Sequence, residues 1–206
     1  ILVGQVSTQI LSELRARRTI ASALRLADDE SITVERLARH FDPGAVGTVT
    51  GGCATLLKSL ITSGRIPVIA SIGMLDDGTL LNVNADDAAS GVARAVGARA
   101  LLLLTDVPGV LDSNGQVMRT LDAQAIKEAI RKGVITGGMI PKVQAALSAA
   151  ADAQCPVVIG SWSDTRVLSH PLDADTIATS ILPPTAIETN ESRSSTLVDM
   201  ASRTLA

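Results

Sequence analysis

The spacing of hydrophobic residues changes repeatedly along the chain, and most changes fall at a glycine or a proline. At the start, Val6, Ile10 and Leu14 recur at helical spacing, which predicts a helix that ends near Arg18. The same spacing predicts four further helices, over Cys53–Ser63, Asp86–Val96, Ala123–Lys132 and Gly138–Asp152.

Short apolar runs between turn signals predict the strands Ala45–Thr50, Pro67–Ser71, Ala98–Leu104 and Pro156–Gly160. The unbroken leucines of Leu101–Leu104 predict a strand that is buried on both faces. Because strands alternate with helices, the sequence predicts an α/β fold with a mainly parallel sheet sandwiched by helices. Ligands of such sheets collect at the carboxyl ends of the strands, so the residues after Ser71, Leu104 and Gly160 are the first candidates for a site.

The chain has 206 residues, of which 46% are hydrophobic, and this is enough for one globular domain over residues 1–182. Beyond Leu182, two prolines and a polar stretch predict a flexible tail over residues 183–206. Residues 28–43 are charged and turn-prone, with Val34, Leu37 and Phe41 as a short apolar face. The chain begins at Ile1 within an amphipathic pattern, so we expect an upstream segment on which the first helix packs.

Composition argues against several classes of protein. A net charge of −3 with one Trp, one Phe and no Tyr gives neither a basic surface nor stacking residues for nucleic acid. No apolar run approaches the roughly 20 residues of a membrane span, so we expect a cytoplasmic protein with no membrane partner. Cys53 and Cys155 have no partner at metal-ligand spacing and are predicted to be small core residues. His40 and His170 are predicted to be structural or surface residues.

The first candidate segment, residues 81–89, leads from an extended stretch into a helix. On one interpretation Asn84 caps the helix, while Asp86 and Asp87 only complement its dipole. On the other, Asn82 and Asp86 line a cleft, where an amide can donate to a substrate carboxylate. The residues alone leave both interpretations open.

The second candidate segment, residues 103–111, places Thr105 and Asp106 where a strand ends in a Pro108-Gly109 turn. A turn that begins with Asp needs no functional explanation. The position nevertheless suits a nucleotide, because the hydroxyl and carboxylate could hold its ribose or base.

The third candidate segment, residues 133–143, opens a helix with Gly137 and Gly138 and places Lys142 in its first turns. Exposed backbone N–H groups at a helix start attract anions, and a lysine there adds a cation for phosphoryl oxygens. A glycine-rich helix start with a solvated lysine is the structural alternative. The sequence contains neither a Walker A loop nor a Gly-x-Gly-x-x-Gly fingerprint.

Taken in order, Ile66–Gly73, Asn82–Ala89, Leu103–Leu111 and Ile135–Lys142 resemble successive signatures of the acetylglutamate kinases. The resemblance covers residues 1–182. It implies an amino-acid-kinase (carbamate-kinase-like) fold that is incomplete at its amino terminus. It also implies transfer of the ATP γ-phosphoryl group to the γ-carboxylate of N-acetyl-L-glutamate, in arginine biosynthesis.

The resemblance also implies roles for individual residues. Lys142 would stabilise the transition state, Asp86 would orient that lysine, and Asn82 would bind the substrate. Mg²⁺ would arrive with ATP, bound mostly by phosphate oxygens and water, and the intact enzyme would be a homodimer. The implied nucleotide-binding residues are Thr105, Asp106, Val107, Pro108, Gly109, Val110, Leu111, Val134, Ile135, Thr136, Gly137 and Gly138.

The chain departs from the family pattern on the substrate side. The family's first strand with its Lys and Gly-Gly pair, its glycine-rich substrate loop and its substrate-binding Arg are absent from the sequence. Ser7-Thr8 and Ala23–Asp29 also differ from the family pattern. Three hypotheses stay open: an acetylglutamate kinase, a related kinase for another acyl-amino-acid carboxylate, and a non-catalytic nucleotide- or amino-acid-binding regulatory domain.

Overall fold

A computed structural model describes residues 2–37, 43–173 and 176–184. The chain divides into two compact units, Ile1–Leu101 and Leu102–Ala206. Within the described residues, no helix is both long enough and apolar enough to cross a membrane. The sequence-based boundary near residue 182 stays a prediction.

Among its described residues, the first unit contains three α-helices and six complete strands. Two strands form a parallel pair, β1 with β4, and the other four form a sheet in the order β2-β3-β6-β5. In that sheet β3 and β6 are parallel, and the pairs β2–β3 and β5–β6 are antiparallel. The elements are α1 (Leu2–Ala16), β1 (Ala21–Arg25), β2 (Ile32–Arg36), β3 (Val46–Gly52), α2 (Thr55–Thr62), β4 (Ile66–Ala70), β5 (Ile72–Met74), β6 (Leu80–Val83) and α3 (Ala85–Val96).

Apolar side chains from the strands and from helices α2 and α3 form the core of the first unit. Helix α3 approaches strand β3 closely at Gly91, where an added Cβ would lie 2.5 Å from two carbons of Val49. Only glycine allows this separation, so Gly91 sets how near the helix lies to the sheet. The buried members of this cluster are Leu26, Ile32, Val34, Val49, Ala54, Leu57, Leu81, Val83, Ala88 and Ala95.

In the part of the second unit that the structure describes, there are a four-stranded sheet in the order β7-β9-β10-β8 and three α-helices. Strand β10 is antiparallel to β9 and parallel to β8. Val157, Val158 and Ile159 are buried in β9, and Val143 and Ala146 are buried on α5. The elements are β7 (Leu101–Thr105), β8 (Thr120–Leu121), α4 (Ala123–Arg131), α5 (Met139–Ala153), β9 (Val157–Ser161), α6 (Thr165–Ser169) and β10 (Ala178–Ile181).

The α/β fold class is confirmed, and all five sequence-predicted helices are present with ends within two residues of those predicted. The four predicted strands are present as well, although β7 begins at Leu101 rather than at Ala98. The sheets are mixed because hairpin pairs, such as β5–β6, accompany the parallel pairs.

Three predictions need correction. Residues 28–43 were predicted to be turn-prone, but Ile32–Arg36 form strand β2. Val34, which belongs to the predicted apolar face, is buried there together with Ile32. The leucines of β7 are not buried on both faces, since Leu104 is 44% exposed. Cys155 is buried as predicted, whereas Cys53 is exposed, following the glycines at the end of β3.

The remaining predictions concern the two histidines and the tail. His170 is exposed, in agreement with the sequence prediction. His40 lies outside the described residues, and so does the predicted tail beyond residue 184.

Candidate active site

Asn82 lies on the exposed face of strand β6 in the first unit. Its neighbours Leu81 and Val83 are 0% and 1% exposed and anchor the opposite face in the core. The Asn82 N–H donates to the Ala45 carbonyl at 2.8 Å, and β6 lies between β3 and β5. The backbone of Asn82 is therefore fixed from both sides, which leaves its amide on the accessible face.

Asn84 caps helix α3, as one sequence interpretation predicted. Its side-chain oxygen accepts hydrogen bonds from the backbone N–H groups of Asp86 at 2.9 Å and Asp87 at 3.2 Å. Asp86 and Asp87 are exposed in the first turn, where negative charge favours the helix dipole. The cap fixes the start of α3, and so the position of the Asp86 backbone.

Lys142 lies in the second unit on the first turns of α5, between exposed Pro141 and fully buried Val143. Its Nζ donates to the Thr105 hydroxyl oxygen at 2.8 Å. The Thr105 hydroxyl in turn donates to an Asp106 carboxylate oxygen at 2.9 Å. A lysine, a hydroxyl and a carboxylate thus form one chain of hydrogen bonds between the start of α5 and the end of β7.

The carboxyl group of Asp106 has a pKa below its usual value. The hydrogen bond from Thr105 is the largest cause, followed by the Asp106 backbone N–H and the positive charge of Lys142. Asp106 is therefore ionised at neutral pH, and its charge balances that of Lys142 in this cluster.

The glycines at the start of α5 leave open space above the backbone. Gly137 has φ +55° and Gly138 is the N-cap, with no side-chain cap hydrogen bond. A Cβ added at either glycine would meet no heavy atom within 4 Å. This uncovered start of a 15-residue helix suits an anion such as a phosphate group.

The loop after β7 is anchored to strand β10 through Thr179. Gly109 has φ +153°, and a Cβ there would lie 2.6 Å from the Thr179 hydroxyl oxygen. The same hydroxyl accepts a hydrogen bond from the Val110 N–H at 2.8 Å, and Thr179 is fully buried. Gly109 and Val110 therefore fix the loop, whereas the adjacent Pro108 is exposed.

The other predicted nucleotide-binding residues differ in accessibility. Val107 and Val134 are half-buried, and Leu111 and Thr136 are exposed. Ile135 is 2% exposed, so its side chain belongs to the core and only its backbone could meet a ligand. The sequence pattern did not separate these roles, because burial depends on contacts with distant elements.

The structure brings Lys142, Thr105 and Asp106 together within the second unit. Asn82 and Asp86 belong to the first unit. The orientation of Lys142 by Asp86 stays a prediction. Among the described residues, no group of three or more His, Cys, Asp or Glu side chains could hold a metal ion.

Sequence reasoning missed Thr179, and only its pairing across the sheet shows its role. Trp162 lies just after β9, among the residues following Gly160 that the sequence marked as candidates for a site. Its backbone N–H donates to the Thr105 carbonyl at 3.0 Å, and its side chain is 66% exposed.

An α/β chain with a lysine and exposed glycine backbone at one helix start has the elements of a phosphoryl-transfer protein. Residues 2–161 match the Amino acid kinase family. The chain belongs to that family.

Two relatives have the same curated name. The acetylglutamate kinase of Photorhabdus laumondii is 39% identical over 181 residues, which are 88% of this chain and 69% of that protein. The acetylglutamate kinase of Vibrio cholerae serotype O1 is 44% identical over 165 residues, which are 79% of this chain and 61% of that protein. The chain thus spans between 61% and 69% of the length of these two relatives.

A solved structure supports the same fold. The carbamate kinase of Giardia lamblia, bound to AMP-PNP, has a TM-score of 0.57 at 16% identity. The match covers 89% of this chain and 69% of that one. At this identity the likeness concerns the fold alone.

Proposed function

We propose that this protein is an acetylglutamate kinase, which transfers the γ-phosphoryl group of ATP to the γ-carboxylate of N-acetyl-L-glutamate. The observation that carries the proposal is the position of Lys142, hydrogen-bonded to Thr105 beside the glycine-opened start of α5. Identities of 39% and 44% to two acetylglutamate kinases support the choice of substrate.

The reaction needs no covalent enzyme intermediate. A γ-carboxylate oxygen attacks the γ-phosphorus of ATP, the bond from that phosphorus to the β,γ-bridging oxygen breaks, and ADP leaves with the electron pair. The products are an acyl phosphate and ADP. Catalysis of such a transfer rests on positioning and on neutralising phosphoryl charge.

The residues have distinct proposed roles in this transfer. Lys142 neutralises charge on the transferring phosphoryl group, and backbone N–H groups of Gly137 and Gly138 bind phosphate oxygens. Thr105 and Asp106 hold the nucleotide at the end of β7. Asn82 binds the acceptor carboxylate, and Asp86 orients Lys142.

Mg²⁺ is proposed to enter with ATP, on phosphate oxygens and water. Mg²⁺ gives up its water reluctantly and takes substrate phosphates as ligands, which is the basis of this proposal.

We also propose that the protein is a cytoplasmic homodimer that acts in arginine biosynthesis. Sedimentation equilibrium of the purified protein tests the dimer. A mass that stays at 21.2 kDa across the micromolar range would contradict it.

The activity is tested by trapping the acyl phosphate with hydroxylamine. The protein is incubated with ATP and Mg²⁺, and with either N-acetylglutamate or glutamate as the acceptor. We expect hydroxamate from N-acetylglutamate only. Product from glutamate alone would indicate a different kinase, and no product from a folded preparation that binds ATP would contradict the proposed function.

A further inference from the structure

Trp162 exposes a large apolar surface at a point where the chain is otherwise well anchored. Its side chain is 66% exposed, and it is the only tryptophan in the sequence. Scattered exposed leucines and isoleucines are ordinary on protein surfaces, so exposure alone carries no conclusion. The exposure of Trp162 is informative because this residue directly follows strand β9.

The backbone of Trp162 is fixed on both sides. Before it, strand β9 is fully buried over Val157–Gly160. After it, the Asp164 N–H donates to the Ser161 carbonyl at 3.1 Å, which closes a turn around Trp162 and Ser163. The Ser161 and Ser163 hydroxyls are 2.7 Å apart and tighten the same turn. A ligand that packs on this indole would therefore order little additional backbone.

Trp162 is also next to the hydrogen-bonded cluster of Lys142, Thr105 and Asp106. Strands β7 and β9 are neighbours in the sheet, and the backbone N–H of Trp162 donates to the carbonyl of Thr105 at 3.0 Å. The side chain of that same Thr105 accepts the hydrogen bond from Lys142. Trp162 and Lys142 therefore both contact Thr105, Trp162 through its backbone N–H and Lys142 through its side chain.

We propose that Trp162 is a nucleotide-binding residue whose indole packs against the base of ATP. The inference rests on the proposed kinase function and adds to it the residue that contacts the base. Aromatic side chains stack on every base, because every base has a π face. Trp162 accordingly contributes affinity for purine nucleotides and little discrimination between adenine and guanine.

The first experiment uses the tryptophan as its own reporter. The full chain is titrated with ATP and, separately, with inorganic tripolyphosphate, which has the charged groups without a base. Mg²⁺ and ionic strength are held constant, and calorimetry measures binding in parallel. We expect ATP to change the tryptophan emission saturably, while tripolyphosphate leaves it unchanged.

Two outcomes would overturn the proposal in distinguishable ways. Calorimetric binding of ATP without any change in emission would overturn the role of Trp162 and leave the kinase function standing. Absence of calorimetric ATP binding would overturn both.

The second experiment measures affinity in variants. Trp162→Ala should weaken ATP binding about 5- to 100-fold, whereas Trp162→Phe should keep most of the affinity. Tripolyphosphate should bind all three proteins equally. Leu168→Ala, which removes another exposed apolar side chain, is the matched control. Unchanged ATP affinity in Trp162→Ala, or an equal loss for ATP and tripolyphosphate, would contradict contact with the base.

Discussion

Lys142 is the residue on which the proposed chemistry depends most directly. Its hydrogen bond to Thr105 fixes the cation beside the open start of α5. A charge that is already positioned stabilises a transition state without reorganisation, and for this reason the proposal assigns much of the catalysis to this one lysine. The same charge lowers the pKa of Asp106, so two readouts depend on it.

Replacing Lys142 by Met should lower kcat for hydroxamate formation by about 100- to 1000-fold. The methionine keeps the aliphatic packing but loses the charge. The pKa of the Asp106 carboxyl should rise in this variant, because Lys142 lowers it in the native protein, and carbon NMR of labelled aspartate measures this. Lys127→Met on the exposed face of α4 is the control. A Lys142→Met variant with native kcat would contradict the assignment.

At the scale of elements, helix α3 lies close to strand β3 because of Gly91. Gly4 on α1 offers a matched comparison, because it is also helical but a Cβ there would meet nothing within 4 Å. The two glycines occupy the same kind of element and differ in the space around them.

Gly91→Ala should lower the free energy of unfolding by about 1–3 kcal/mol, because the new methyl group would overlap Val49. Gly4→Ala should raise it by a few tenths to about 1 kcal/mol through helix propensity. Urea unfolding followed by circular dichroism measures both changes. Equal effects in the two variants would show that propensity, not close packing, governs Gly91.

Backbone N–H groups at the start of helix α2 donate hydrogen bonds to side chains far back in the sequence. Its own N-cap, Ala54, has no side chain that could accept them. Instead the Asp29 carboxylate accepts from the Leu57 N–H at 3.0 Å, and the Ser31 hydroxyl oxygen accepts from the Thr55 N–H at 2.7 Å. These bonds connect the turn before β2 to the start of α2.

Asp29→Asn should reduce stability at pH 7 by about 1–3 kcal/mol, because hydrogen bonds to a buried carboxylate are weakened. Burial raises the pKa of Asp29, but hydrogen bonds from Ser31 and from the Leu57 and Leu56 N–H groups outweigh it, and the net pKa is lowered. A carboxyl group whose pKa is lowered by folding adds to the free energy of unfolding at pH values above its unfolded pKa, which is about 4 for Asp. This contribution is lost as the pH falls through the pKa of the folded state.

The difference in unfolding free energy between native protein and Asp29→Asn should therefore shrink as pH falls from about 5 towards 2. Urea titrations across that range measure it. Glu30→Ala, which removes a neighbouring exposed carboxylate, is the control and should change stability little. A difference that stays constant with pH would show that the Asp29 charge is not responsible.

For the whole molecule, local sequence patterns predicted the positions of helices and strands better than they predicted strand pairing and side-chain exposure. Helix periodicity and glycine stops located α1 to α5, because those signals lie within the elements themselves. Strand β2 and the exposure of Leu104 could not be predicted, since they depend on contacts between distant parts of the chain.

The candidate site shows the same division. The sequence pattern and the family resemblance selected Thr105, Asp106 and Lys142, and the structure joins them. The anchor at Thr179 needed the fold, because it is 69 residues from its partner Val110.

The proposed site residues are divided between the two units, and this predicts a pattern of ligand protection. All proposed nucleotide-binding residues and Lys142 lie in Leu102–Ala206, whereas Asn82 and Asp86 lie in Ile1–Leu101. ATP alone should slow amide hydrogen exchange around Gly109–Leu111 and Thr136–Met139. N-acetylglutamate alone should slow exchange around Asn82–Asp86, because bound ligands suppress local opening.

Exchange measured by mass spectrometry with each ligand separately tests this division. Sodium chloride at matched ionic strength is the control for charge screening and should protect none of these segments. If ATP alone protected the Asn82–Asp86 segment and left Gly109–Leu111 unchanged, the assignment of the nucleotide to β7 and α5 would be wrong, even if the protein proved to be an active kinase.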